Sequence, residues 1–291
     1  MIRLIAFDMD GTVLNDEKKI LKETKEALEQ AIQNGYKGIE VVEQAARAGI
    51  EIVPATGRPF CGISDEIYRL DGVRYVLTTN GAGIYERDSK TCLYEDAIPL
   101  SAYLPMLAEV EAYDVMADTF LKGGALMTKR KRDLLPRMRL TKEIRDYILS
   151  SRQVVESQVD YLRERGEDVE KLTINFAYNE NGHRIDYDAV WEVLKKYPDV
   201  NAVSGGMKNI EVTKKGVSKA SGLLYLGKKL GIAPEEMMVF GDSGNDLDMI
   251  KMAGIGVAMA NAEPEVLKAA DFVTKSNNEN GVGGFLVSAD Y

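Results

Sequence analysis

Four short stretches of this chain carry side chains whose type and spacing could do chemistry. The first is Asp8-Met9-Asp10-Gly11-Thr12, two carboxylates two residues apart just past an apolar run over 2–7. If the alternation of a strand continued, both would point the same way. Like charges so close are costly unless a cation is present or one carboxyl keeps its proton. The first escape makes a divalent-metal site and the second a general acid. The plainer reading is a polar turn that contains two acids, and calcium loops and some glycosyltransferases also use Asp-x-Asp. The calcium-loop pattern puts its Gly sixth, after a third ligand, and Gly11 comes too soon for it.

The second stretch is Thr56-Gly57, where a hydroxyl and a flexible backbone at a strand end can hold a phosphate oxygen, although alone it is no better than a loop. The third is Lys219, in Gly216-Val217-Ser218-Lys219. At a helix start its ammonium and the free backbone amides could meet one anion. Lys214 and Lys215 are rivals, and all three read equally as surface lysines. The fourth is Asp242, Asn245 and Asp246, in Gly241-Asp242-Ser243-Gly244-Asn245-Asp246. Acids there serve a helix N-terminus through capping and the dipole. They also suit a metal site, with Asp242 and Asp246 on one side of the turn. Two lookalikes fail. Gly222–Lys228 has P-loop spacing, but Lys229 stands where Ser or Thr should and the interior is a helix face. Gly81-Ala82-Gly83 lacks the third glycine of a dinucleotide fingerprint, since Glu86 holds that position.

The elements that would position these groups alternate. Strand candidates are 2–7, 50–55, 75–79, 237–240, 255–259 and 272–274; helix candidates are 20–34, 39–48, one capped by Ser218 and stopped by Gly231, and one reaching Ala253. Polar loops leave the strands, the pattern of an open parallel α/β sheet. The middle mixes strands (114–121, 172–177) with helices (102–113, 140–165, 187–197), and none of these strands ends in a dense polar motif. The fold class is α/β: a Rossmann-like open parallel sheet core, residues 1–83 and 209–291, carrying a large inserted α/β cap over 84–208, with hinges at 81–85 and 204–209.

Composition narrows the function. The 291 residues suggest about two domains at roughly 150 residues each. The net charge of −9 disfavours nucleic acid and anionic lipid as partners. No apolar run approaches the roughly 18 residues of a membrane helix, and Asp8 and Asp10 interrupt any signal-peptide core. Two cysteines, Cys61 and Cys92, make neither a disulfide framework nor a zinc cluster, and suggest reduced thiols in a cytoplasmic protein. The single histidine, His183, reads as part of an exposed turn, so chemistry falls to carboxylates, hydroxyls and lysines. The single Trp191 reads as cap core. Residues 122–145 hold nine Lys or Arg against two acids; the stretch 129–132 reads as a solvated face, or as an electrostatic lure for an anionic substrate.

Taken in order, Asp-x-Asp-Gly-Thr, Thr-Gly-Arg, a late Gly-x-x-Lys and Gly-Asp-x-x-Asn-Asp resemble the haloacid dehalogenase superfamily, and more closely its Cof-type phosphatases. Thr79-Asn80-Gly81-Ala82 and the tail Ser276–Val282 are also similar to that subgroup. The resemblance implies that Asp8 is the nucleophile, forming an aspartyl-phosphate, and that Asp10 is the acid and then the base. It implies that magnesium (Mg2+) binds the Asp8 carboxylate, the Asp10 carbonyl and Asp242, with Asp246 supporting the metal or its waters. Thr56, Gly57, Lys219 and Asn245 would hold the phosphoryl oxygens, and Arg58 would touch the leaving group. The family usually runs from its first helix almost directly into the strand before Thr-Gly-Arg, so residues 35–48 are additional here. The expected function is phosphatase action on small phosphate esters, sugar phosphates first. A phosphomutase of the same superfamily is the alternative, and a non-catalytic phospho-ligand sensor is third.

Overall fold

The computed structural model describes residues 1–34, 49–205 and 209–288. The additional segment 35–48, and the helix expected within it, lie outside the described residues. The strands are β1 (Leu4–Phe7), β2 (Glu51–Pro54), β3 (Tyr75–Thr78), β4 (Gly83–Glu86), β5 (Cys92–Glu95), β6 (Val115–Leu121), β7 (Gly124–Thr128), β8 (Gln153–Val155), β9 (Lys171–Phe176), β10 (Val200–Ser204), β11 (Ile210–Lys214), β12 (Met237–Gly241), β13 (Ile255–Ala258) and β14 (Phe272–Val273).

A parallel sheet in the order β14-β13-β12-β1-β2 forms the core. Its central strands are short apolar runs buried on both faces, as parallel strands between helix layers must be. Ile5, Phe7, Met238 and Phe240 face one side, against Leu28 and Phe285 of helices Lys22–Asn34 and Gly281–Val287. Leu4, Ala6, Met237 and Val239 face the other, against Leu223 and Leu226 of helix Lys219–Leu230. That helix begins and ends as its sequence directs. Ser218 caps it, accepting from the Ser221 amide, and Gly231 closes it in the left-handed conformation. From β1 the chain moves outward to β2 on one side, and from β12 outward to β13 and β14 on the other. The carboxyl ends of β1 and β12 therefore flank the switch point where open α/β sheets bind ligands.

A second sheet, in the order β10-β11-β9-β6-β7-β8, stands over this edge. Helices Leu100–Glu111, Gln158–Arg165 and Tyr187–Leu194 cover its outer face, burying Leu172, Ile174, Phe176, Ile210 and Val212. Trp191 packs at the margin of this layer. The first expected boundary of the insert, 83/84, falls inside the paired strand β4, and the second, 208/209, falls in the connection between the paired strands β10 and β11. The hairpin β4–β5 completes a three-stranded sheet with β3, and Ile84 is buried in the core. β11 pairs with β9 and β10 in the second sheet. Strand pairing thus divides the chain near residues 96 and 215, because the backbone groups of each hairpin are satisfied there and not at the motifs. The helix expected over 140–165 is interrupted as well. It divides into Lys142–Ser151 and Gln158–Arg165 around β8, where Val154 and Val155 favour extended backbone and Ser157 caps the second helix. No described helix is long and apolar enough to cross a membrane.

Three successive residues in the loop after β3, Thr79, Asn80 and Gly81, have positive φ. A Cβ at Gly81 would lie 2.1 Å from the Ser218 carbonyl oxygen, so only glycine lets this loop touch the start of the helix that carries Lys219. Gly81→Ala is expected to lower the unfolding free energy by at least about 2 kcal/mol in urea denaturation, and an unchanged midpoint would refute this close approach.

Candidate active site

A cleft of about 510 Å³ separates the carboxyl ends of β1, β2 and β12 from the inner face of the second sheet. Asp8, Asp10, Thr56, Gly57, Arg58, Asp242 and Asn245 line it from the core side. Lys219 and Asp246 lie directly beneath, both fully buried. The four motifs therefore meet in one place, as their order along alternating strands suggested.

Asp8 follows β1 immediately and is only 6 % exposed. Its Oδ1 accepts a 2.5 Å hydrogen bond from the Lys219 ammonium, which also donates to Asp246 Oδ1 at 2.6 Å. Lys214 and Lys215, the rivals, sit on the surface side, and Lys214 pairs with Asp96. Burial pushes the Asp8 carboxyl up; Lys219 opposes this, while Asp246 and Asp10 add to it, and the outcome is about 7. Burial disfavours the charge of Lys219, but Asp246 and Asp8 overcome that and hold it protonated more firmly than an ordinary lysine. Asp242 is raised to about 8, by burial first and then by repulsion from Asp8 and Asp246.

Asp8, Asp242 and Asp246 each offer an oxygen within 4.8 Å of the others. Their occupied valences differ. Asp246 spends Oδ1 on Lys219 and Oδ2 on the backbone amides of Asp242 and Ser243, at 2.9 and 3.0 Å. Asp242 Oδ1 accepts from Thr12, and a Cβ at Gly11 would lie 2.5 Å from Asp242 Oδ2, so glycine makes room for that carboxylate. The cluster fits a divalent cation. Asp8 and Asp242 have oxygens to give it, and Asp246 holds the loop and the lysine. The tail ties down the loop after Asp10: Asn277 donates to the Leu14 carbonyl at 3.0 Å, and Asn278 to Asp16 at 3.0 Å.

Asp10 opens to the same cleft, with 37 % of its side chain exposed. Arg58 grips it through Nε at 2.7 Å and Nη2 at 2.6 Å, and Lys18 adds a contact at 2.9 Å. Enclosure pushes its carboxyl up, but the Arg58 and Lys18 charges outweigh this and hold it at about 2. Arg58 was expected to reach a leaving group. It lines the cleft, and in this structure its guanidinium donates to Asp10 and to the Gly62 carbonyl, since a bidentate carboxylate lies within its reach. Thr56 is buried, its hydroxyl accepting from the Arg58 amide. The Gly57 carbonyl accepts from Lys171 at 2.5 Å. Asn245 Nδ2 donates to Asn80 Oδ1 at 3.2 Å and Glu211 Oε2 at 3.3 Å, so its amide meets cap and core at once.

The cap residues of the cleft escaped the sequence reading. Lys171 and Glu211, both buried, pair at 2.8 Å, and Glu211 also accepts from Asn80 at 2.6 Å. Glu211 stays below the usual carboxylate range: burial opposes its charge, but Lys171 and Asn80 prevail. Tyr147 and Arg152 complete the wall, Arg152 paired with Asp118 at 3.1 Å. A signal for them exists in the alternation Lys171-x-Thr173-x-Asn175 and Asn209-x-Glu211-x-Thr213. Polar residues at strand period, each opposite an apolar face, mark a sheet with one polar side. The basic stretch 129–132 is not part of the cleft lining. It forms one helical turn capped by Thr128, and Lys131 is buried, donating to the Glu111 and Tyr113 carbonyls. His183 is exposed in its turn, and Cys61 and Cys92 are exposed and unpaired.

Residues 5–286 match the model of the haloacid dehalogenase-like hydrolases, and the chain belongs to that family. It is 33 % identical to the putative phosphatase YxeH of Bacillus subtilis, over 97 % of this chain and 96 % of that one. It is 30 % identical to the 5-amino-6-(5-phospho-D-ribitylamino)uracil phosphatase YcsE of the same organism, over 97 % and 93 %. The solved structure of the subclass IIB sugar phosphatase BT4131 superposes with a TM-score of 0.73 at 27 % identity, covering 98 % of this chain and 97 % of that one. With its relatives, this protein is a phosphoric monoester hydrolase.

The raised carboxyls give a test. Both shifts are upward, so between about pH 4 and about 8 the folded protein binds more protons than the unfolded chain. Stability from these groups is present at low pH and is lost as pH rises through that window. In chelator, Asp242→Asn should flatten this slope and raise stability at pH 8 by on the order of 2–4 kcal/mol, with little change at pH 4. Parallel pH profiles for the two proteins would refute the mutual repulsion.

Proposed function

We propose that this protein is a magnesium-dependent phosphatase of small phosphorylated metabolites, sugar phosphates foremost, that works through an aspartyl-phosphate on Asp8. The observation that carries the reading is Asp8 itself: a buried carboxylate at the end of β1, one oxygen fixed by Lys219 and the other facing a cleft shared with Asp10. The sugar-phosphate preference is supported by the likeness to BT4131, described as a sugar phosphatase, and by the polar cap face. A cytoplasmic setting is supported by the two free thiols.

In this reading the free Asp8 oxygen attacks phosphorus, and the bond from phosphorus to the ester oxygen breaks as the new one forms. Lys219, fixed by Asp246, holds one charge against the transferring group; Thr56, the Gly57 backbone and Asn245 steady the phosphoryl oxygens. Asp10 gives a proton to the departing oxygen. It then takes one from the water that attacks the aspartyl-phosphate, which returns Asp8 as carboxylate and releases phosphate. Asp8, the Asp10 carbonyl and Asp242 would hold a magnesium ion, which would supply charge neutralisation at the phosphate oxygens. Arg58 and Lys18 keep Asp10 ionised, which suits the second step. For the first, the anionic substrate must compete for those cations so that Asp10 can carry a proton. The cap closes the cleft over the ester and excludes bulk water.

Phosphate release from a panel of sugar phosphates and cofactor phosphates, with magnesium and with chelator, tests this. Release should require the metal, and Asp8→Asn should lower it more than about a thousandfold, as loss of a nucleophile does. Asp10→Asn should impair alkyl esters far more than acetyl phosphate, whose leaving group needs no proton. Metal-independent release, or full activity in Asp8→Asn, would end the reading.

A further inference from the structure

Resting on the phosphatase reading, we propose that Glu170 of the cap is a positioning residue for phosphoryl binding: it tethers Thr79 in left-handed backbone, and the loop 79–81 so held sets the groups that grip the phosphoryl oxygens. That loop touches each of the segments concerned. The Thr79 amide donates to the Arg58 carbonyl at 3.0 Å, and the Asn80 amide to the Thr56 carbonyl at 3.1 Å. Asn80 Oδ1 accepts from Asn245 at 3.2 Å, and a Cβ at Gly57 would lie 2.9 Å from the same oxygen. Gly81 packs on the Ser218 carbonyl, at the start of the helix that carries Lys219.

The loop makes these contacts by running through φ values of 50°, 57° and 95° at Thr79, Asn80 and Gly81. Asn and Gly enter this region readily, but a β-branched residue does not. Such a residue persists there only where its surroundings over-determine it. Thr79 is fully buried, and its hydroxyl donates to Glu170 Oε2 at 3.1 Å. The nearby Thr78 hydroxyl is a weaker partner, 3.5 Å away and itself donating to the Gly83 carbonyl at 3.2 Å.

Glu170 is a costly choice for a residue that only fills space. It is wholly buried, and among the described residues no Lys or Arg pairs with it. Its donors are neutral: Thr79, the Tyr85 hydroxyl at 2.9 Å and the Gly123 amide at 2.9 Å. An apolar side chain would join cap to core there without the desolvation of a carboxylate. What it could not do is accept from the Thr79 hydroxyl. Tyr85 and Gly123 fix Glu170 Oε1, which leaves Oε2 aimed at Thr79. Glu170 also directly precedes Lys171, so the same cap strand braces the loop and reaches the Gly57 carbonyl.

The test measures kcat/KM for p-nitrophenyl phosphate and acetyl phosphate, and the calorimetric Kd of inorganic phosphate, all with magnesium. The proteins are wild type, Glu170→Ala, Thr79→Val, Thr79→Gly and the double variant Glu170→Ala/Thr79→Gly, each checked by thermal unfolding. Thr79→Val removes the tether and keeps the aversion to positive φ; Thr79→Gly removes both. Glu170→Ala and Thr79→Val should each lower kcat/KM by roughly tenfold, by the same factor for both esters, and weaken phosphate binding alongside, because the displaced groups serve every phosphoryl group. Thr79→Gly should lose less than Thr79→Val and should recover most of the loss in Glu170→Ala, a coupling that mere adhesion of cap to core would not produce. Wild-type values in both folded tether variants, a larger loss in Thr79→Gly than in Thr79→Val, or no recovery in the double variant would overturn the inference. If Glu170→Ala does not fold, the order of the two substitutions at 79 decides. An active wild type whose variants fall in the wrong order defeats the positioning role alone. A wild type that hydrolyses neither ester but binds phosphate with affinities in the expected order defeats only the phosphatase reading, and one that neither hydrolyses nor binds defeats both.

Discussion

The Lys219 ammonium lies between Asp8 and Asp246 in a site from which water is almost entirely excluded. Three carboxylates, with Asp242, converge there, and burying that much like charge without compensation would cost more than a domain of this size has to spare. The lysine makes the cluster tolerable, and a divalent cation bound at Asp8 and Asp242 would complete the balance. Much of the surrounding fold serves to keep that ammonium in place. Ser218 caps its helix, Leu223 and Leu226 bury the helix against β1 and β12, and Gly81 lets the loop after β3 pack on its first turn.

A second set of charges sits one layer above. Arg58 and Lys18 hold Asp10, and Lys171 pairs with Glu211, which in turn reaches Asn80 and Asn245. Core and cap are thus joined across the cleft by hydrogen bonds with one charged partner, Glu211 with Asn80 and Asn245 and Lys171 with the Gly57 carbonyl, which are stronger than neutral ones and demanding in geometry. Glu170 adds a buried latch beside them, accepting from Thr79, Tyr85 and the Gly123 amide.

The cap sheet divides its labour by face. Its outer residues pack under three helices, while the inner ones, Lys171, Thr173 and Glu211, stay polar and buried. A strand can do this because successive side chains alternate sides. The arrangement gives a hydrogen-bonding surface across the cleft from Asp8, built on strands rather than on loops.

The order of the motifs was legible in the sequence because each lies just after a strand, and parallel strands in one sheet bring their carboxyl ends together. Asp8, Thr56 and Asp242 could be assembled on that ground alone, and Ser218 and Gly231 marked their helix because capping is local chemistry. What the local sequence could not decide is pairing. Whether Asn209 and Glu211 belong to the core or the cap depends on which strand β11 hydrogen-bonds, and the partners lie about 40 residues away in β9. Arg58 followed the same rule. Its residue type and motif pointed to a ligand, and only the folded chain, bringing Asp10 from 48 residues away, gave it a carboxylate to hold. Residue type and strand order determine which groups can reach the cleft; long-range contacts decide which of them remain free to act there.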